Sequence, residues 1–275
     1  GKVKWNLPNF MTVIAKTEKK TAQDWVCFAQ ISDCHLYADK NALHYGANVY
    51  DNLLWVIEDI KRQQLFEFIV FTGDLTQDHS LGSYQNFVDA VQKSGIKLPI
   101  YFTPGNHDET QLLEQFLCGA PFTRTKIIEL PNWQLMLVDS KGLTPSGSVG
   151  AKQIERLTTD VITHKHQLLL MHHHPVDVGY FIDRHGLTNK QDFYQFLDEI
   201  TELKGVACGH VHNAMELCIA TANKVIPLYT CPATSIQFDK NVDGVASAGL
   251  AAGYRKFELL ANGDISSQPV FLAEY

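Results

Sequence analysis

Five short stretches of this 275-residue chain place aspartate, asparagine or histidine directly behind an apolar run. They are Asp33 and His35, Asp74, Asn106 and His107, His172 to His174, and His210 with His212. A single strand-end aspartate is ordinary turn chemistry. Five such endings are hard to obtain from turns alone, and three adjacent histidines beside a buried strand need hydrogen-bond partners that core packing does not supply. Asp33, His35, Asp74, Asn106, His172, His210 and His212 together offer seven nitrogen or oxygen ligands. Seven exceed the needs of one cation. They suit two divalent ions that share a carboxylate and lie about 3.5–4 Å apart, as in two-metal hydrolytic sites. Asp74, single and central in the order, is the expected bridge. Imidazole, carboxylate and amide oxygen favour iron, manganese, zinc or cobalt over magnesium or calcium, and donor type does not rank these four; the expected pair is iron, manganese or both, with zinc and cobalt as alternatives. Cys34, between Asp33 and His35, is expected to point away from the ions.

The elements that must position these residues are legible in the pattern. Strands are expected at residues 25–31, 68–71, 100–102, 133–139, 167–171 and 205–208, and helices at 48–64, 81–93, 151–164 and 190–203. Strand, helix and strand in succession make a parallel unit with a right-handed crossover, so the Asp33 and Asp74 loops should emerge on one edge. That is the carboxyl edge, where open α/β sheets bind ligands. In extended backbone, residues two apart share a face, which would converge Asp33 with His35 and His210 with His212. Pro104 and Gly105 force a tight turn before Asn106. Residues 175–188 read as a mobile loop near the site. The tail adds strands near 225–229, 254–260 and 270–272. Residues 1–24 read as an N-terminal extension with one strand near 11–15, and 25–275 as a single α/β domain.

Hydrophobic residues make up 45% of the chain and charged ones 19%, enough to bury a large core. A net charge of −7 argues against a nucleic-acid partner held by a basic stripe. Six scattered cysteines without a C-x-x-C pair fit a reducing compartment. No apolar stretch reaches the length of a membrane span, so a soluble, cytoplasmic protein without a membrane partner is expected. A homodimer stays open.

Read in order, the motifs are Asp-x-His, Gly-Asp, Gly-Asn-His-Asp, His-His and Gly-His-x-His. This set resembles the calcineurin-like metallophosphoesterase superfamily and spans residues 25–212. ISDCHL, FTGDLTQD, TPGNHD, MHHHP, CGHVH, CPATSIQF and GYRKFEL are similar to its bacterial cyclic-AMP phosphodiesterase branch, the class III enzymes. The resemblance implies a four-layer α/β/β/α sandwich with two mixed β-sheets. It implies one ion held by Asp33, His35, Asp74 and His212, and the other by Asp74, Asn106, His172 and His210. His172, three residues before Pro175, matches the family ligand, which leaves His173 and His174 behind the ligands or on the substrate side.

The activity so implied is hydrolysis of 3′,5′-cyclic nucleotides, cyclic AMP to 5′-AMP, by attack of a hydroxide held between two ions. His107 would face the phosphate, to bind a non-bridging oxygen or protonate the leaving group, with Asp108 placed to orient it. Asn106 and His212 complete the expected substrate contacts. Selectivity must come from rim loops, here His44, Tyr45, Asn48 and Tyr50, and residues 230–238 ending in Gln237 and Phe238. The alternative enzyme is a phosphodiesterase for glycerophosphodiesters or other small diesters. Outside enzymes, the alternative is a non-catalytic metal-binding interaction module, against which the intact ligand set speaks.

Overall fold

Strand β1, Trp25–Ile31, shows how the layers arise. Successive side chains of a strand point to opposite faces. Val26 and Phe28 enter one apolar cluster, while Cys27, Ala29 and Ile31 enter another. Both faces are covered, so the strand reads as an apolar run, broken only by Gln30, whose Nε2 donates to Thr72 Oγ1 at 3.0 Å.

The computed structural model describes residues 25–273, so the expected extension at 1–24 lies outside the described residues. After β1 come a small hairpin, β2 (Leu43–His44) and β3 (Ala47–Asn48), and helix α1 (Val49–Gln63). Next follow β4 (Ile69–Phe71), α2 (Leu81–Ser94), β5 (Ile100–Phe102), α3 (Thr110–Phe116) and β6 (Phe122–Thr123). The second half holds β7 (Ile127–Glu129), β8 (Trp133–Val138), α4 (Ala151–Asp160), β9 (His166–Met171), α5 (Lys190–Glu199) and β10 (Leu203–Cys208). It closes with β11 (Met215–Ala220), β12 (Val225–Thr230), β13 (Gly253–Leu260) and β14 (Ile265–Phe271).

Two six-stranded mixed sheets result, ordered β14-β13-β1-β4-β5-β6 and β11-β12-β10-β9-β8-β7. Strands β1, β4 and β5 run parallel in the first, and β8, β9, β10 and β12 in the second. The cluster between the sheets joins Phe28, Val70 and Phe257 to Leu135, Leu168 and Leu170. Helices α1 and α2 cover the outer face of the first sheet, and α4 and α5 that of the second. This is the expected four-layer α/β/β/α sandwich.

Differences lie at boundaries and in elements too short to show a period. Asn48 and Gln64, expected inside the first helix, are its caps; Asn48 accepts a hydrogen bond from the Asp51 amide at 3.0 Å, and Gln64 is left-handed at φ 52°. The third and fourth helices, expected to run to 164 and 203, stop at Asp160 and Glu199. Strand β11 and the seven-residue α3 were not anticipated, β11 because it is an edge strand exposed on one face.

Phe28 stacks on Phe68 at 5.0 Å and on Phe257 at 4.9 Å in the middle of the inter-sheet layer. Replacing it by Ala should therefore cost about 3–5 kcal/mol, read as a lower midpoint in denaturant unfolding with an unchanged slope.

Candidate dinuclear metal site

All seven expected ligands meet where the carboxyl ends of β1, β4 and β5 face those of β9 and β10. The way they converge differs from the extended geometry read from sequence. Asp33 (φ 60°), His35 (47°), Asp74 (59°), His210 (72°) and His212 (48°) are all left-handed. Alternation of left-handed residues, rather than the pleat of a strand, turns the paired ligands Asp33 with His35 and His210 with His212 to one side. Such backbone costs roughly 1–2 kcal/mol per non-glycine residue and is kept where surroundings enforce it.

Close backbone contact provides part of that enforcement. A Cβ on Gly73, itself at φ 98°, would lie 2.2 Å from the Gly105 nitrogen, and one on Gly105 would lie 2.2 Å from Asp74 Oδ1. Only glycine at both positions lets the two loops touch. The buried Asp108 carboxylate then clamps them. Its Oδ2 accepts the amides of Asp74 (2.8 Å) and Gly105 (2.9 Å), and its Oδ1 those of Leu75 (2.8 Å) and Thr76 (3.3 Å). Asp108 is thus not the residue that orients His107, as the sequence suggested. Burial and the nearby Asp74 charge push its carboxyl up to about 6, with the amides working the other way.

The ligand atoms form two groups around one oxygen. Asp74 Oδ2 lies 3.6 Å from His35 Nε2 and 3.3 Å from His172 Nε2, while its Oδ1 accepts the His107 amide at 2.9 Å. In the first group, His212 Nε2 lies 3.2 Å from Asp33 Oδ1 and 3.0 Å from His35 Nε2. In the second, His172 Nε2 lies 3.1 Å from both Asn106 Oδ1 and His210 Nδ1.

Whether cations fit here can be judged from the hydrogen bonds behind the ligands. A backbone carbonyl only accepts, so each imidazole nitrogen facing one must carry the proton. His172 Nδ1 donates to Thr72 O (2.7 Å), His212 Nδ1 to Ile236 O (2.8 Å) and His210 Nε2 to His185 O (3.0 Å). In the neutral rings the inward nitrogens are therefore lone pairs. His172 Nε2 and His210 Nδ1 face each other as two acceptors beside the Asn106 oxygen. Asp33 Oδ1 is buried without a hydrogen-bond donor, and its Oδ2 accepts the His210 amide at 2.9 Å. Positive charge between these atoms resolves both conflicts.

The titration behaviour agrees. Burial works against charge throughout, yet neighbouring histidines hold Asp33 and Asp74 well below the usual carboxylate range. Burial lowers His172, and the Asp74 and Asp33 carboxylates more than offset it, so without cations this imidazole is driven to take up a proton, the positive charge that the donor set calls for. Oxygen and imidazole donors, a shared carboxylate and no thiolate match the expected pair of divalent ions. Cys34 lies in the helix-facing core, its thiol pushed up by burial.

The surrounding residues divide clearly. His173 donates from Nε2 to Pro145 O (2.8 Å), and its Nδ1 meets Ser140 Oγ (2.7 Å). His174 Nε2 pairs with Asp183 Oδ1 at 3.0 Å. Neither reaches the ligand atoms; their rings pack against His210 at 4.7 and 5.5 Å. The segment 175–188 carries hydrogen bonds of its own around Asp183. Asp183, within a 3₁₀ turn at Phe181–His185, also accepts the amides of Val178 and Gly179, both at 2.8 Å. A cavity of about 300 Å³ opens over the ligands. His44, Tyr45, Gln77, His107 and Phe238 line one part of it, and Phe181, Ile182, His185 and Val245 another. Of the expected rim residues, Tyr50 is in the core, Asn48 is a cap, and Gln237 bonds to Ala233 and Ala251. Phe181, Ile182 and Val245 carried no signal of this role in the sequence.

The family model described as calcineurin-like phosphoesterase matches residues 28–214, which contain every ligand described above. The chain belongs to the calcineurin-like phosphoesterases. Members of this family are dimetal enzymes, and the chain is accordingly a metal-dependent phosphoesterase. A probable cyclic nucleotide phosphodiesterase of Colwellia psychrerythraea is 49% identical over 250 residues, covering 90% of this chain and 95% of that one. The 3′,5′-cyclic adenosine monophosphate phosphodiesterase CpdA of Vibrio vulnificus is 32% identical over 250 residues and 89% of each chain. A dimetal phosphatase from Danio rerio shares the fold at a TM-score of 0.61, with 12% identity over 90% of this chain and 99% of that one. Among the described residues of this phosphoesterase, no helix is long and apolar enough to cross a membrane.

Replacing Asp108 by Ala would strand four buried amides that no longer have an acceptor. We expect a loss of about 3 kcal/mol or more, read as a lower melting temperature, together with reduced metal content by elemental analysis. An Asp108→Ala protein that keeps its stability and metals and loses only turnover would show that Asp108 acts on catalysis instead.

Proposed function

We propose that this metal-dependent phosphodiesterase hydrolyses 3′,5′-cyclic nucleotides, cyclic AMP foremost, to the 5′-monophosphate. The observation that carries the reading is the wall above the ligands. The cavity floor holds His35, Asp74, Asn106, His210 and His212, and its sides are largely apolar and aromatic, with Tyr45, Phe181, Ile182, Phe238 and Val245. A volume of about 300 Å³ is at the small-molecule end of ligand sites. A nucleoside covers such a wall with its base. A glycerol or ethanolamine group would leave it wet, which sets the glycerophosphodiester alternative second. The names of the Colwellia and Vibrio relatives point the same way.

When bound, two divalent ions, iron or manganese by preference, would neutralise the phosphate charge and, as Lewis acids on its oxygens, polarise phosphorus. The seven ligands would hold them in two sets, Asp33, His35, Asp74 and His212, and Asp74, Asn106, His172 and His210. The rest falls to this chain's own groups. Phe238 lies on the His212 ring at 3.9 Å and fixes its plane, so the aromatic wall and the ligand are one packed unit. His107 is held by its amide on Asp74 Oδ1, and its Nδ1 is buried without a partner, which leaves Nε2 as the nitrogen open to the cavity. Burial pushes this imidazole down to about 4 despite the pull of Asp74. It is therefore neutral at pH 7 and serves as a hydrogen-bond donor to a phosphoryl oxygen rather than as a proton carrier. Six free thiols suit a reducing compartment such as the cytoplasm, where we place the enzyme.

A substrate panel tests the proposal. With manganese-loaded protein, kcat/KM for 3′,5′-cyclic AMP should exceed that for glycerophosphoethanolamine by about tenfold or more, the worth of burying a base against an apolar wall, and should also exceed that for 5′-AMP, which carries the same base on a monoester. Faster turnover of the glycerophosphodiester would remove the nucleotide assignment and leave the dinuclear phosphodiesterase.

A further inference from the structure

His44 is a buried imidazole whose surroundings account for only one of its two nitrogens. It sits at the end of β2, where Tyr45 (φ 47°) and Gly46 (φ 87°) make a two-residue hairpin turn that pairs His44 with Ala47. Alternation along the hairpin sends Leu43 outward, 62% exposed, and His44 inward, 4% exposed. Its ring lies parallel to that of His35, with centroids 5.4 Å apart and planes at 2°, and the Tyr45 ring meets it edge-on at 4.8 Å. Its Nδ1 is 2.9 Å from the Tyr37 hydroxyl. Nε2 has no partner among the described residues and opens into the cavity above the ligands. Packing alone would be served by leucine here, so a polar nitrogen turned to the cavity is the feature of His44 that packing does not explain.

We propose that His44 contacts the substrate directly, donating its Nε2–H to a phosphoryl oxygen of the bound phosphodiester, and that Tyr37 is the positioning residue behind it. A phenol is a stronger donor than neutral imidazole, and imidazole nitrogen a stronger acceptor than phenolic oxygen. The Tyr37 O–H therefore donates to Nδ1 and places the ring proton on Nε2. Because the ring is stacked on His35, a ligand of the first group, this proton points into the space above that group, where the phosphoryl oxygens must lie. The base would sit further out, beside Tyr45 and Phe181. The assignment rests on the phosphodiesterase reading of the site and holds for any phosphodiester, since it concerns only the phosphoryl group.

The test uses the metal-loaded full chain, with wild type, His44→Phe, His44→Gln and Tyr37→Phe compared. Phenylalanine keeps the stacking on His35 and removes the donor, whereas glutamine returns an N–H. His44→Phe should lower kcat/KM by about tenfold or more, as for a hydrogen bond to a charged group, and by the same factor for cyclic AMP and for bis(p-nitrophenyl) phosphate. Calorimetric titration with inorganic phosphate should show its Kd weakened comparably, with metal content unchanged, and His44→Gln should recover most of the loss. Tyr37→Phe should cost several-fold alone and nothing further in the His44→Phe background, because it acts through that ring. Unchanged phosphate affinity and activity in His44→Phe would overturn the proposal. So would a loss confined to cyclic AMP, which would move the contact to the nucleoside, or a loss of metal, which would make His44 a packing support for His35. If wild type turns over bis(p-nitrophenyl) phosphate and not cyclic AMP, the nucleotide assignment falls, and the same variants decide the role of His44 on that ester.

Discussion

One carboxylate oxygen, Asp74 Oδ2, faces both histidine groups, and the loops of five strands are arranged so that it can. The demand is electrostatic before it is geometric. Lone pairs of His172, His210 and Asn106 converge on one side of this oxygen, and those of His35, His212 and Asp33 on the other. Such a concentration of acceptors in a buried place is tolerable only with cations between them. The fold must therefore hold the two sheets face to face, with their carboxyl ends aligned, firmly enough that the ligands do not relax apart.

The inter-sheet layer supplies that firmness. Phe28, Phe68, Phe257 and the leucines of β8 and β9 bond the sheets through dispersion and hydrophobic burial. Above them, the ligand loops carry five left-handed non-glycine residues, a strain that isolated loops would release. Backbone carbonyls from Thr72, His185 and Ile236 fix the imidazole tautomers, and Asp108 fixes the two central loops to each other. His185 and Ile236 come from segments far along the chain from the ligands they orient. The rim that selects the substrate and the bonds that orient the metal ligands are thus made by the same loops.

The ligands were legible in the sequence because their types are few, their positions follow buried strands, and the strand–helix–strand order puts those strand ends on one edge. The layered sandwich was expected on the same grounds together with the family resemblance. Residues whose roles depend on contacts between distant segments were not legible. Asp108 stands next to His107 in the sequence, and adjacency suggested a partner; its carboxylate turns instead to amides more than thirty positions away, at Asp74 and Leu75. Asn48, Tyr50 and Gln237 have side chains suited to a nucleotide, yet capping, core packing and a loop bond claim them. Phe181, Ile182 and Val245 look like ordinary apolar residues, and only the folding of their loops over the ligands makes them walls of the cavity.

The central claim is that two cations share Asp74. Its most direct test is diffraction from manganese-loaded crystals at the manganese absorption edge, with protein first stripped of metal. Two anomalous peaks about 3.5–4 Å apart, one on each side of Asp74 Oδ2, are predicted. A single peak at full manganese excess, or two peaks with Asp74 bound to only one of them, would contradict the account.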